Sequence, residues 1–238
     1  MKKLVIFDFD GVIMDNLPVL FRVYDVICER LGVRKLKSQK EIVENNHGDW
    51  KEFYRYLKIK EKDFDKADEI FKEIYIKLEK EISIFYGMKE IIEKLAKKFK
   101  LVIASTNLRQ NIEAGLKRNN LFNKFDLIFD AEDVENHKPS PEQLIKCMSK
   151  LKVAPEETIY IGDTFGDIIA AKNAGVEIIA VTWGWRNSGD LKKLNPNFIA
   201  NKPKDIIRFT EDGLKLWSGK IYTENEAKQI AKKIKRFL

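Results

Sequence analysis

The stretch Leu4-Val5-Ile6-Phe7-Asp8-Phe9-Asp10-Gly11 joins an apolar run of strand length to two carboxylates and a glycine. The run is rich in Val, Ile and Phe and does not alternate with polar residues, so it predicts a buried parallel strand. Asp8 and Asp10 are two residues apart, and in extended geometry their side chains leave the chain on the same face. Two carboxylates this close repel each other unless a proton or a cation separates them, and Mg²⁺ suits a site with few carboxylates. Considered alone, the stretch is also compatible with a strand end that carries solvated acids.

The composition is that of an ordinary globular protein, and 238 residues suffice for one large domain or for a core domain and a smaller one. The formal net charge is +7, but the Lys residues are spread along the chain, which favours solvated helix faces. Cys28 and Cys147 lack metal-ligand spacing and predict reduced thiols. Asp8 and Asp10 interrupt the first apolar run too early for a signal peptide, and no apolar run has membrane-spanning length. We therefore expect a cytoplasmic protein without a membrane or nucleic-acid partner, either monomer or dimer.

Residues 15–86 have helical periodicity and many aromatic side chains, but no strand signal. Leu20, Tyr24 and Ile27 recur at helical spacing, and Gly32 is placed to end that first helix. The segment therefore predicts an all-helical domain inserted after residue 14.

From Gly87 onward, apolar runs of strand length alternate with amphipathic helices. The runs lie at 101–104, 126–129, 158–161, 177–181 and 198–199. Strands that alternate with helices predict a parallel sheet with helices on both faces. Residues 1–14 and 87–210 are assigned to this α/β core, and residues 211–238 to a basic C-terminal helical extension.

Polar side chains follow the predicted strands at their carboxyl ends, where parallel α/β sheets bind ligands. They are Asp8 and Asp10, Thr106 and Asn107, Lys138, and Asp163 and Asp167. A metal ion is needed to hold the acids together, and a lysine and a hydroxyl beside it make a site for phosphate. An Asp carboxylate is able to attack phosphorus and form an aspartyl phosphate. A second acid two residues on would protonate the leaving oxygen and then activate water.

These residues resemble the four signature motifs of the haloacid dehalogenase-like superfamily. The motifs are Asp8-Phe9-Asp10-Gly11, Thr106-Asn107, Lys138-Pro139 and Gly162-Asp163-x-x-x-Asp167, in the family's order. Each stands at the expected strand end or loop. The resemblance implies a Rossmann-like core, a type 1 helical cap formed by the insert, and Mg²⁺ as the cofactor.

The resemblance also implies roles for the matching acids. Asp8 would be the nucleophile and a Mg²⁺ ligand. Asp10 would be the general acid and base, and it would bind the metal through its backbone carbonyl. Asp163 would ligate the metal, and Asp167 would hold the metal shell.

The remaining matches would bind the phosphoryl group. Thr106 would hydrogen-bond it, helped by the backbone of Asn107, and Lys138 would stabilise its charge and Asp8. Ser105 is an alternative to Thr106, because the motif fits the chain in either of two registers.

Two details resemble the phosphoglycolate phosphatase-like subgroup, namely Asp15 and the run Val181-Thr182-Trp183-Gly184-Trp185. Two residues depart from it, because Tyr86 stands where Pro is usual and Asn16 where Ser is usual. In having an acid at position 10, the sequence resembles the phosphatase and mutase branches of the superfamily.

Three functions are compatible with this sequence. The first is a Mg²⁺-dependent phosphatase that acts on a small phosphorylated metabolite, such as 2-phosphoglycolate, through an aspartyl phosphate on Asp8. The second is a phosphosugar mutase of the β-phosphoglucomutase kind, which would need a sugar bisphosphate to form phospho-Asp8 again. The third is a non-catalytic basic protein whose segment 211–238 binds nucleic acid with strong salt dependence, but it leaves the four motifs unexplained.

Overall fold

The computed structural model describes residues 2–46 and 50–211. Within these residues, no helix combines the length and the apolar character needed to cross a membrane. The predicted C-terminal extension, residues 211–238, lies outside the described residues except for its first residue, which ends a helix.

The described residues group into two compact units. The core unit comprises residues 2–14 and 84–211, and the helical unit comprises Asp15–Ser83. The predicted second boundary, after residue 86, lies three residues further along the chain.

The strands are β1 (Leu4–Phe7), β2 (Met14–Asp15), β3 (Ser83–Ile84), β4 (Lys100–Ala104), β5 (Leu127–Phe129), β6 (Thr158–Gly162), β7 (Glu177–Val181) and β8 (Phe198–Ala200). The α-helices are α1 (Leu17–Leu31), α2 (Gln39–Asn45), α3 (Trp50–Tyr56), α4 (Phe64–Leu78), α5 (Met88–Leu95), α6 (Arg109–Arg118), α7 (Glu142–Leu151), α8 (Phe165–Asn173), α9 (Ser188–Lys192) and α10 (Lys204–Glu211).

The core unit contains a six-stranded sheet with the order β5-β4-β1-β6-β7-β8. Every neighbouring pair is parallel. β1 lies in the interior of the sheet, with Phe7 level with Ile103 of β4 on one side and with Ile161 of β6 on the other. The carboxyl ends of β1, β4 and β6 are therefore adjacent. β2 and β3 form a separate two-stranded sheet.

Both faces of β1 are buried. Leu4 and Ile6 pack in one hydrophobic cluster with Leu144 of α7, Ile168 of α8 and other side chains. The alternate residues of the strand, Val5 and Phe7, are also fully inaccessible. Burial on both faces explains why the run does not alternate with polar residues. The predicted parallel α/β fold is confirmed.

The helical unit has an aromatic core. The rings of Tyr24 and Phe53 meet edge to face with centroids 4.7 Å apart, and those of Tyr54 and Phe64 meet similarly at 5.5 Å. Helix α1 ends at Gly32, whose φ of 64° lies in the left-handed region that favours glycine. The expected role of this unit as a cap stays a prediction.

Candidate active site

The candidate site lies at the carboxyl ends of three adjacent strands. Asp8 follows β1 directly, Ser105 follows β4 directly and Asp163 follows β6 directly. The parallel register brings these strand ends level with one another. The three polar residues therefore stand at one edge of the sheet, where parallel α/β folds bind their ligands.

Two glycines allow the loops at this edge to pack closely around Asp163. Gly11 has a φ of 76°, and a Cβ atom there would lie 2.2 Å from Oδ2 of Asp163. A Cβ at Gly184, in the loop after β7, would lie 2.2 Å from the backbone oxygen of Gly11. In the same loop, the backbone N–H of Trp185 donates to Oδ2 of Asp163 at 2.6 Å. These contacts fix the carboxylate of Asp163 against the turn that follows Asp10.

Lys138 is the central cation of the site. Its Nζ lies 2.8 Å from Oδ2 of Asp8 and 2.8 Å from Oδ1 of Asp167, and it donates to the hydroxyl of Tyr160 at 3.0 Å. The other oxygen of Asp8 accepts the backbone N–H of Phe9 at 2.7 Å. The lysine side chain is only 8% exposed. Because a buried charge is costly unless it is paired, these acids hold the ammonium group in one place.

Asp167 orients Lys138 and the backbone that follows β6. It lies in the first turn of α8 and forms a capping box with Thr164. Its Oδ1 accepts from Lys138 and, at 2.6 Å, from the hydroxyl of Tyr160. Its Oδ2 accepts from the hydroxyl of Thr164 at 2.6 Å and from the backbone N–H groups of Thr164 and Asp163. Both oxygens are thus used to orient Lys138 and the backbone after β6.

The acidic residues fit a bound divalent cation. Asp8, Asp163 and Asp167 each bring one carboxylate oxygen to within 4.8 Å of the others. Oδ1 of Asp163 is buried and has no hydrogen-bond partner among the described residues. A buried carboxylate oxygen without a partner is costly, and a cation would remove that cost. Because Mg²⁺ prefers oxygen ligands and needs few of them from the protein, this donor set suits it.

Asp10 is held by an amide. Its Oδ2 accepts a 2.8 Å hydrogen bond from Nδ2 of Asn107. Its Oδ1 is buried and, within residues 2–46 and 50–211, has no hydrogen-bond partner. One oxygen of Asp10 is therefore fixed, and the other is left for an incoming group.

Burial has the largest single effect on the pKa value of each of the four acids. It raises the pKa of Asp8 to about 6 against the opposing effect of Lys138. Burial, together with the charge of Asp8, raises the pKa of Asp10 to about 7. Burial and repulsion from Asp167 and Asp8 raise the pKa of Asp163 well above its usual range. Burial would also raise the pKa of Asp167, but Lys138 and the hydrogen bonds hold it below its usual value.

The two candidate hydroxyls after β4 differ in their surroundings. Ser105 is 1% exposed, and its Oγ accepts the backbone N–H of Asn107 at 3.2 Å. Thr106 is exposed. The buried hydroxyl directly after β4 is therefore that of Ser105.

The structure brings most of the predicted site residues together. Direct contacts join Asp8, Lys138, Asp163 and Asp167, and a separate hydrogen bond joins Asp10 to Asn107. Thr106 is exposed.

Sequence reasoning missed three residues that support this site. Tyr160, a fully buried residue of β6, bonds both Lys138 and Asp167. Gln143 of α7 donates to backbone oxygens that follow β4 and β5. The backbone of Trp185 holds Asp163. Tyr160 had a physical signal, since a phenol inside an otherwise apolar strand usually needs a hydrogen-bond partner. Trp185 stood out only as part of the run that resembles the phosphoglycolate phosphatase-like subgroup.

A parallel α/β sheet whose strand ends gather carboxylates around one lysine defines a haloacid dehalogenase-type class of protein. The model for the haloacid dehalogenase-like hydrolase family matches residues 5–181 of this sequence. The chain belongs to this family. The family prediction is confirmed, and the prediction of an enzyme is confirmed at the level of this hydrolase family.

The curated relatives are similar over part of their length. Pyrophosphatase PpaX from Bacillus mycoides strain KBAB4 is 36% identical over 119 residues, which cover 50% of this chain and 55% of that protein. PpaX from Bacillus cereus strain Q1 is 36% identical over 124 residues, covering 52% and 57%. The chain thus spans about half the length of the curated relatives that it matches.

Solved structures share the fold over almost their whole length. A predicted phosphoglycolate phosphatase from Haemophilus somnus 129PT has a TM-score of 0.82 at 19% identity, covering 88% of this chain and 98% of that one. A haloacid dehalogenase-like family hydrolase from Streptococcus pneumoniae has a TM-score of 0.78 at 24% identity, covering 88% and 99%. At these identities the likeness shows the fold alone.

Proposed function

We propose that this protein is a Mg²⁺-dependent phosphatase that hydrolyses a small phosphorylated metabolite through an aspartyl phosphate on Asp8. The observation that carries the proposal is the position of Lys138, 2.8 Å from Asp8. An ammonium group beside a carboxylate at a strand end is placed to neutralise a phosphoryl group while that carboxylate attacks it. Asp10, two residues further, supplies the acid that such a reaction needs.

The reaction would take place in two displacements. In the first, a carboxylate oxygen of Asp8 attacks phosphorus, the bond from phosphorus to the leaving oxygen breaks, and its electron pair takes the proton of Asp10. In the second, Asp10 removes a proton from water as the water oxygen attacks the aspartyl phosphate. The bond between phosphorus and Asp8 then breaks, which releases inorganic phosphate and restores both carboxyl groups.

The Mg²⁺ ion would be held by the carboxylates of Asp8 and Asp163 and by the backbone carbonyl of Asp10. Asp167 would act through its bonds to Lys138 and the Asp163 backbone. When bound, the ion supplies positive charge that offsets the negative charge of the phosphoryl group.

We assign the phosphoryl-binding hydroxyl to Ser105. It follows β4 directly, as Asp8 follows β1, and it is buried at the site, whereas Thr106 is exposed. The Asn107 backbone remains the predicted second donor to the phosphoryl group.

The substrate class is supported by resemblance and by relatives. The subgroup features favour 2-phosphoglycolate. The relatives named pyrophosphatase, at 36% identity over half of the chain, favour inorganic pyrophosphate as a second candidate. Both are small phosphorylated compounds that the same core residues would process.

The test is phosphate release from 2-phosphoglycolate, pyrophosphate and p-nitrophenyl phosphate, each with Mg²⁺ and with EDTA. We expect release only with Mg²⁺, and loss of turnover in Asp8→Asn. Asp65→Asn, an exposed acid on α4, is the matched control and should keep the wild-type rate. Activity in Asp8→Asn, or full activity in EDTA, would overturn the proposal. Product formation that depends on an added sugar bisphosphate would favour the mutase instead.

A further inference from the structure

The orientation of the Asn107 amide is fixed by its neighbours. Its Oδ1 lies 2.8 Å from the backbone nitrogen of Leu108 and 2.8 Å from Nδ2 of Asn111. A backbone N–H is only a donor, so the atom that it meets must be the amide oxygen. The NH₂ group of Asn107 is then the end that faces Asp10, where it donates to Oδ2 at 2.8 Å.

Asn111 gives this arrangement a rigid support. It lies in the first turn of α6, and its backbone N–H bonds the oxygen of Leu108 at 3.0 Å. Its side-chain amide reaches back four residues to Asn107. Two hydrogen bonds of 2.8 Å therefore connect α6 to the acid. One joins Asn111 to Asn107, and the other joins Asn107 to Asp10.

The two oxygens of Asp10 are unequal as a result. Oδ2 accepts a hydrogen bond from the NH₂ group of Asn107, which can only donate. Oδ1 is buried and has no partner among the described residues. When the carboxyl group is protonated, an N–H donor facing Oδ2 makes that oxygen the acceptor, so the proton resides on Oδ1.

We propose that Asn107 and Asn111 are positioning residues that present Oδ1 of Asp10 as the proton-carrying atom of the reaction. The inference rests on the proposed phosphatase function. Oδ1 gives its proton to the leaving oxygen as the phosphorus–oxygen bond breaks and its electron pair moves to that oxygen. Oδ1 later takes a proton from the attacking water. Asn107 donates to Oδ2 throughout and exchanges no proton with the substrate.

The test uses the dependence of kcat/KM on the leaving group, because kcat/KM reports the steps up to formation of the phosphoenzyme. Proton donation matters most for a strongly basic alkoxide and least for the weakly basic p-nitrophenolate. In Asn107→Leu we expect kcat/KM for an alkyl phosphate to fall at least about tenfold further than for p-nitrophenyl phosphate. Asn111→Ala should also lower kcat/KM more for the alkyl phosphate than for p-nitrophenyl phosphate. The difference should be smaller than in Asn107→Leu, because the backbone N–H of Leu108 still holds the Asn107 amide.

Asn119→Ala is the matched control. Asn119 follows the C-terminus of α6, and its amide donates to the backbone oxygen of Gly115 rather than to an acid. Its substitution should leave the dependence on the leaving group unchanged. An equal fall for every leaving group in Asn107→Leu would show a merely structural or binding role and overturn the inference.

A second measurement does not depend on turnover. In the ¹H–¹⁵N spectrum of the full protein, the side-chain NH₂ signal of Asn107 should shift when Asp10 is replaced by Ala, and its exchange with solvent should accelerate. An Asn107 signal that does not respond would overturn the inference even in an active enzyme. If wild type releases no phosphate from any ester while the signal responds as expected, the proposed function fails and the assigned contact stands.

Discussion

The hydroxyl of Tyr160 donates a 2.6 Å hydrogen bond to Oδ1 of Asp167. The same oxygen accepts from Lys138 at 2.8 Å, and Lys138 also donates to the tyrosine hydroxyl at 3.0 Å. Burial raises the pKa of Tyr160 well above its usual value, so the phenol stays a donor. Tyr160, Asp167 and Lys138 thus hydrogen-bond one another in a closed triangle. This triangle holds the ammonium group of Lys138 beside Asp8.

Removal of the Tyr160 hydroxyl should make the Lys138 side chain more mobile, although Asp8 and Asp167 still pair with it. In Tyr160→Phe we expect kcat to fall about tenfold, equivalent to about 1.4 kcal/mol in the barrier, with little change in KM. The free energy of unfolding should fall by about 1.5–3 kcal/mol, because a hydrogen bond to a charged group is lost. Steady-state kinetics and urea unfolding measure the two effects.

Tyr54→Phe is the control for that substitution. Tyr54 is also buried and donates to an acid, Asp68 at 3.0 Å, but it lies in the helical unit. It should lose comparable stability without the same loss of kcat. Equal kcat values in the two variants would show that Tyr160 is only a packing residue.

The hydroxyls of Ser105 and Thr106 provide a direct test of the motif register. Loss of one hydrogen-bond donor to a transferring group typically costs about 10²–10³ in rate. We therefore expect Ser105→Ala to lower kcat by about 10²-fold, Ser105→Thr to restore much of it, and Thr106→Ala to have a much smaller effect. A larger loss in Thr106→Ala than in Ser105→Ala would return the role to Thr106.

The fold could be predicted because its signals are local. The apolar run before Asp8 and the runs at the other strands needed only residue type and length. Helix α1 ends at Gly32 as predicted, because that position requires a positive φ. The strand ends that meet in a parallel sheet follow from topology alone, which is why Asp8 and Asp163 were predicted to share a site.

The supporting contacts could not be predicted because they depend on three-dimensional register. Gln143 lies on a helix whose apolar face predicts packing, and nothing in its neighbourhood indicates strand ends as partners. The Asn107 side chain was not assigned to Asp10, because a one-residue change of register changes which side chain faces the acid. The sequence predicts the end of the helical unit at 86, whereas the compact unit ends at Ser83, because a strand of only two residues such as β3 has no recognisable periodicity.

Gln143 is expected to be a major source of stability near the site. Its Nε2 lies 2.8 Å from the backbone oxygen of Ser105, 3.0 Å from that of Asp130 and 3.1 Å from that of Phe129. Gln143→Leu would leave buried carbonyl groups without this donor, at about 1–3 kcal/mol for each group that stays unsatisfied. Urea unfolding should show a loss of about 2–4 kcal/mol. Gln110→Leu, on the exposed face of α6, should change stability by less than about 0.5 kcal/mol, and a similar result for Gln143→Leu would contradict the assignment.

Three buried acids of the site bind protons more tightly in the folded protein than in the unfolded chain. Burial raises the pKa of Asp8 to about 6 and that of Asp10 to about 7, and the pKa of Asp163 lies well above its usual range. In the unfolded chain these carboxyls titrate near about 3.9. Between about pH 4 and 7 these three acids therefore bind more protons in the folded protein than in the unfolded chain. Their contribution to the free energy of unfolding falls as the pH rises through this window.

Bound Mg²⁺ should reverse this loss, because the ion requires ionised ligands and competes with the protons. A tenfold change in an ionisation constant corresponds to about 1.4 kcal/mol, and about 1 kcal/mol shifts Tm by roughly 2–4 °C in a chain of this size. We expect Tm in EDTA to fall by several degrees from pH 5 to pH 8. The increase in Tm that Mg²⁺ produces should be larger at pH 8 than at pH 5.

Asp163→Asn separates this effect from general pH sensitivity. The amide oxygen still accepts the backbone N–H of Trp185, but the side chain no longer ionises. In EDTA the variant should lose less stability than wild type between pH 5 and pH 8, and its response to Mg²⁺ should be much reduced. A Mg²⁺ response that is equal at both pH values, or that persists in Asp163→Asn, would show that the ion binds somewhere other than this carboxylate cluster.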